Sequence, residues 1–327
     1  LYKTKVIMPE GKLQVSENLE LCKSQIVMTE GRLQVDGDLI NNNSTVGYNS
    51  GDIHIKGRTE QREGSIYFYD NCRLEFDQDV EFPDGGNFNL YGDSVTCIFH
   101  GNFNQGSSGF FSARKGDFYF EKDYLFRGDY GYRHIQYTRF NKDCKIYFSG
   151  DKTQKIELRD AKTAYWGSLD FCQSKDVWVN NEMIGYEVRG IEKVHAVTED
   201  LAFDMEYLYT QGDGVISGNL KLLRGRLFIK EGLLQIRGNL LTAQNSVDVY
   251  VYSQLTVDKD INSDRDIDIC VQEQEQGKSI LKVGGDLNVS GGGLFCGGNA
   301  QTKLKSDVNI NRGFSFRIYN SRREKKE

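Results

Sequence analysis

A chain of 327 residues with 35 Gly, 19 Phe and 18 Tyr but only 2 Pro and seven Ala disfavours helices and suits strands joined by tight turns. Its formal net charge of -6 and pI near 5.5 offer no basic footprint for nucleic acid or for an anionic membrane surface. No apolar run approaches the roughly 20 residues that a helix needs to cross a bilayer, so no membrane span is expected.

From Gly11 onward the chain repeats a nine-residue unit in which positions three, five and nine are usually apolar and position eight is Asp or Asn. Gly31-Arg-Leu33-Gln-Val35-Asp-Gly-Asp38-Leu39 shows it plainly. Further units begin at Cys72, Val95, Gly116, Gly212, Gly232, Ser253, Ser279 and Ala300, most neighbours lying 20 to 23 residues apart, and a degenerate copy spans Gly51 to Gly57. Apolar residues two apart describe a strand with one buried face. One or two such strands per period, separated by turns, describe a coil that must stack on its neighbours to bury that face. The expected fold class is all-β, a parallel β-solenoid (β-helix) of roughly 20–23-residue coils.

Position eight is filled by Asn18, Asp38, Asp79, Asn102, Asp123, Asn219, Asn239, Asp260, Asp286 and Asp307. Acid and amide exchange freely there, which suits a turn former bonding its own backbone, whereas a calcium ladder would insist on carboxylates. The seven cysteines, at 22, 72, 97, 144, 172, 270 and 296, show no CxxC spacing. Cys97 falls on an apolar position of the repeat and is expected to be a small core residue. Neither a metal site nor a cofactor is expected.

A longer period overlies the short one, because residues 11–40 align with 212–241 at a constant offset of 201, giving a long repeat of about 200 residues. It divides the chain into a first solenoid copy (1–121), an irregular aromatic-rich segment (122–211), a truncated second copy (212–320) and a charged tail (321–327). Tyr130, Tyr132, His134, Tyr165, Trp166 and Trp178 crowd the irregular segment with Arg127, Arg133, Arg139 and Arg159 among them. Rings beside polar groups either hold sugar rings in a groove or fill the core of an irregular coil. Residues 198–209 suit a short helix capped by Thr198 or an edge strand.

No catalytic residues emerge. His54, His100, His134 and His195 accompany no nucleophile motif, and the Gly-rich run at 291–298 lacks the Lys-Ser or Lys-Thr of a phosphate loop. Asp143, Asp151, Glu157 and Asp160, near Lys145, Lys152 and Arg159, are the candidates for glycosidase chemistry, but charges at that density usually form a solvated face.

Lys145 to Ile156, followed by Gly167-Ser-Leu169-Asp-Phe171 and Val177-Trp-Val179, resembles the large tandem β-solenoid repeats of bacterial surface and exported proteins, especially of Gram-positive anaerobes. The resemblance implies a secreted or surface-displayed rod serving as stalk, adhesin or toxin-delivery scaffold, with polysaccharide or a host or bacterial surface as partner. A polysaccharide-processing β-helix enzyme is one alternative. A cytoplasmic filament subunit that self-associates end to end is the other, since open strand edges template such growth.

Overall fold

The structure, a computed structural model, describes residues 1–83, 85–106, 109–126, 138–272, 279–298, 300–310 and 314–319. It divides into two compact units, Leu1–Asn181 and Glu182–Glu327. Each is a parallel β-solenoid, as the short period requires.

In the first unit one coil holds three short strands rather than the one or two expected. Gln25–Met28, Arg32–Val35 and Leu39–Asn42 stack in parallel on Ser44–Tyr48, Gly51–Ile55 and Thr59–Gln61, with Leu33 opposite Ile53 and Leu39 opposite Thr59. The nine-residue unit is therefore the second strand, the turn after it and the first residue of the third strand. The first strand of each coil lies between units, where its looser pattern hid it.

Equal phase puts like residues in columns. Val35, Ile55, Phe76, Phe99, Phe120 and Phe148 are consecutive partners along one such column, all buried. The Phe99 ring stacks on Phe76 at 5.4 Å and on Phe120 at 4.8 Å. Each buried ring contributes roughly 1.5–3 kcal/mol by leaving water, and each ring pair about 0.5–1.5 kcal/mol more. Cys97 lies in the neighbouring column between Leu74 and Phe118, fully buried, as its phase predicts.

Position eight behaves differently from the expected turn former. At most of these positions the side-chain oxygen accepts the backbone N–H of the residue at the same position on the next coil: Asn18 from Asp38 (2.8 Å), Asp38 from Arg58 (2.8 Å), Asp79 from Asn102 (2.7 Å), Asn219 from Asn239 (2.8 Å), Asn239 from Asp260 (3.1 Å) and Asp260 from Asp286 (2.8 Å). That bond needs only one carbonyl-type oxygen, so acid and amide can both serve, and an amide adds a donor, as Asn239 Nδ2 does to Asn219 Oδ1 at 3.1 Å. The ladder spans coils of 20, 23 and 26 residues alike, because insertions fall elsewhere in the coil.

Between 122 and 211 the described strands stay in parallel register with their neighbours. Cys144–Phe148, Gln154–Leu158 and Val177–Val179 continue the columns, and Asp123 still accepts the Lys155 N–H at 2.8 Å across 32 residues of chain. Longer coils broke the period in sequence without breaking the stacking. Residues 198–209 hold neither the short helix nor an edge strand, because Asp200–Thr210 is a strand paired on both sides, with Met183–Arg189 and Asn219–Ile229. In the second unit two strands of a coil fuse into single strands of 11 or 12 residues, Asn219–Ile229, Ile261–Gln272 and Leu287–Gly297.

Candidate functional site

Strand alternation turns positions four and six of each unit outward, and stacking sets them in columns. On the first unit this brings together polar residues far apart in sequence. His54 is the register partner of Glu75, both at position four, while Asp77, His100 and Glu121 occupy position six of three successive units. His54 Nε2 lies 3.0 Å from Asp77 Oδ1, His100 Nδ1 lies 2.7 Å from Glu121 Oε2, and His100 Nε2 lies 3.3 Å from Glu75 Oε1. Arg73 donates to the other Glu75 oxygen at 3.1 Å. All are half-buried or exposed.

Both ring nitrogens of His100 face carboxylates, which can only accept, so both bonds form only when the ring is charged. Burial opposes that charge, but the bonds to Glu121 and Glu75 prevail and raise the His100 pKa above its ordinary value. For Glu75, burial likewise opposes charge and is outweighed by the bonds from His100 and Arg73, which lower its pKa. Further along the same face, the bond from Lys56 Nζ at 2.7 Å, helped by Gln34, holds the Asp36 carboxyl at about 2.

Beside His100 the surface opens into a polar groove of about 620 Å³, lined among others by His100, Glu121, Asp123, Asp151 and Lys152. Of the carboxylates considered for glycosidase chemistry only Asp151 lines it; Asp143, Glu157 and Asp160 do not. Asp160 instead caps a short turn, accepting the Lys162 N–H at 2.8 Å. Among the described residues, His54, Glu75 and Asp77 are the group whose nitrogen and oxygen atoms could hold a metal ion, all three atoms lying within 4.8 Å of one another.

The residues proposed for a sugar groove do not assemble among the described residues. Tyr130, Tyr132 and His134 lie outside them. Trp166 is corrected from ligand contact to core: it is 0% exposed, stacked on Phe140 at 5.7 Å and edge-on to Tyr124 at 5.1 Å. Tyr165 and Trp178 face outward on different sheets, one opposite Arg139 and the other opposite Lys155, with Trp178 40% exposed.

An outer aromatic column does exist, on the second unit. Tyr209, Phe228 and Tyr250 are successive register partners whose rings stack at 5.0 and 4.9 Å, with Tyr207 and Tyr252 beside them. Lys230 Nζ sits 4.4 Å from the Tyr209 ring centre. The signal for both columns was present in the sequence: polar and aromatic residues recur at equal phase of the coil. Searching for local crowding pointed to the middle segment instead. No protein-family model, curated protein or solved structure matches the chain.

Proposed function

We propose that the chain is a non-enzymatic structural or adhesive solenoid of the sort that bacterial surface and secreted proteins carry. The observation that supports this best is that outward side chains are spent on coil-to-coil bonds, from the position-eight ladder to the His–carboxylate column and the stacked rings. Such a surface favours stiffness and repetition over a reacting centre. The adhesive form of the reading draws on the Tyr209–Phe228–Tyr250 column, half-exposed rings flanked by Lys230 and Arg226, which suit the flat faces of sugars.

The test is binding of the purified chain to arrays of bacterial and host polysaccharides, with Tyr209→Ala, Tyr250→Ala and Trp178→Ala variants whose folding is checked by circular dichroism. Saturable binding lost in a folded variant supports adhesion. Chain shortening of a bound polysaccharide would replace the reading with the enzyme alternative. Absence of binding, with light scattering that grows with concentration, would favour the self-associating filament.

A further inference from the structure

We propose that His54, Glu75 and Asp77 form a binding site for a first-row transition-metal dication of the zinc class. The donor set is one imidazole nitrogen and two carboxylate oxygens, a combination that zinc, cobalt and nickel accept, whereas magnesium and calcium prefer oxygen alone. Donors about 2.0–2.1 Å from one ion stand roughly 3–4 Å apart. His54 Nε2 and Asp77 Oδ1 are already at 3.0 Å, and the whole set spans no more than 4.8 Å, a gap that rotation of half-exposed side chains closes.

The backbone holds these donors in place. His54 and Glu75 are register partners on adjacent parallel strands, Gly51–Ile55 and Cys72–Phe76, and Asp77 follows Glu75 by two residues on the same outward face. Metal-binding carboxylates are normally oriented by outer hydrogen bonds. Glu75 has them on both oxygens, from His100 at 3.3 Å and Arg73 at 3.1 Å. Binding would put the ion in place of the His54–Asp77 hydrogen bond, with the single proton of the neutral imidazole on Nδ1 and the Nε2 lone pair on the ion, and water would fill the remaining coordination positions. The ion would thereby staple two successive coils, a contribution separate from any adhesive role.

The experiment is titration of the full chain with CoCl2 and then ZnCl2 near pH 7.5, where an ordinary imidazole is neutral, followed by visible absorption and thermal unfolding. The expected result is one equivalent of cobalt with d–d bands and no sulfur-to-metal charge transfer, displacement by zinc, and a raised unfolding midpoint. His54→Gln and Asp77→Asn, both outward and conservative, should each weaken binding by more than about tenfold with unchanged circular dichroism, while His195→Gln should leave it intact. Unchanged affinity in the folded His54→Gln chain, a thiolate charge-transfer band, or no saturable binding would overturn the proposal.

Discussion

At position eight the side chain supplies an acceptor oxygen to the next coil, and an Asn there also donates through its amide, as Asn239 Nδ2 does to Asn219 Oδ1 at 3.1 Å, so substitutions should sort by both properties. Asn239 accepts the Asp260 N–H while donating its own N–H to Asn219. Asn239→Asp keeps the acceptor but loses the amide bond to Asn219 Oδ1 and should cost about 1 kcal/mol, whereas Asn239→Ala, leaving the Asp260 N–H without its acceptor as well, should cost on the order of 1–3 kcal/mol in urea unfolding. Gly51 is constrained differently: its φ is +127° and an added Cβ would fall 2.1 Å from the Gly31 carbonyl oxygen. Gly51→Ala should therefore destabilise by more than the roughly 1 kcal/mol of an ordinary glycine replacement, because strain and a backbone clash coincide. His100 makes the fold sensitive to pH. Its raised pKa means its contribution is complete below the ordinary value of about 6.5 and fades as pH climbs through the raised one. Glu75, with a lowered pKa, contributes above its ordinary value of about 4.5 and fades as pH falls through the lowered one. The network is thus at full strength between those two values. His100→Gln should flatten the alkaline side of the stability profile by no more than about 1 kcal/mol, since the pairs are partly solvated.

At the scale of an element, the buried and outer ring columns look alike in spacing but differ in what surrounds them. Phe99 is enclosed by Phe76, Phe103, Phe111 and Phe120 and is 0% exposed. Phe99→Ala should cost about 3–5 kcal/mol, the loss of a large core side chain plus the cavity it leaves. Phe228 has the same stacking distances but a half-exposed outer face. Phe228→Ala should cost less, about 1–3 kcal/mol, chiefly the two ring pairs. Because each coil touches mainly its neighbours, hydrogen exchange after Phe99→Ala should rise most in the strands from Cys72 to Phe120 and little in distant coils of the same unit.

For the molecule as a whole, the seven cysteines report on folding without any label. Cys72, Cys97 and Cys144 are buried; desolvation pushes Cys72 and Cys144 up to about 12, and Cys97 well above the ordinary thiol range. Cys22, Cys172, Cys270 and Cys296 are intermediate in exposure. A thiol reagent at neutral pH should titrate at most these four in the native chain and all seven in guanidinium. Unfolding of two repeat-built units should also depart from a single two-state transition, visible as non-coincident loss of circular dichroism and of thiol protection.

The amino-acid sequence alone determined the parallel solenoid, its period of about 21 residues and which residues of the nine-residue units face the core. Those follow from apolar residues at fixed phase, a local property that survives without coordinates: Leu33, Val35 and Leu39 declare their buried face in nine residues. Only the tertiary structure decided what lies outward of that face. His54, Glu75, Asp77, His100 and Glu121 meet because coils stack in register across 21 to 25 residues of chain. Trp166, which reads as a ring beside polar groups, packs inward because its strand alternation points it at Phe140 and Tyr124. Position eight carried its acceptor in the sequence but not its partner, since a turn and an inter-coil bond make the same demand on the residue. Period and phase are written along the chain, whereas pairing between coils depends on coil length and register, which only stacking sets.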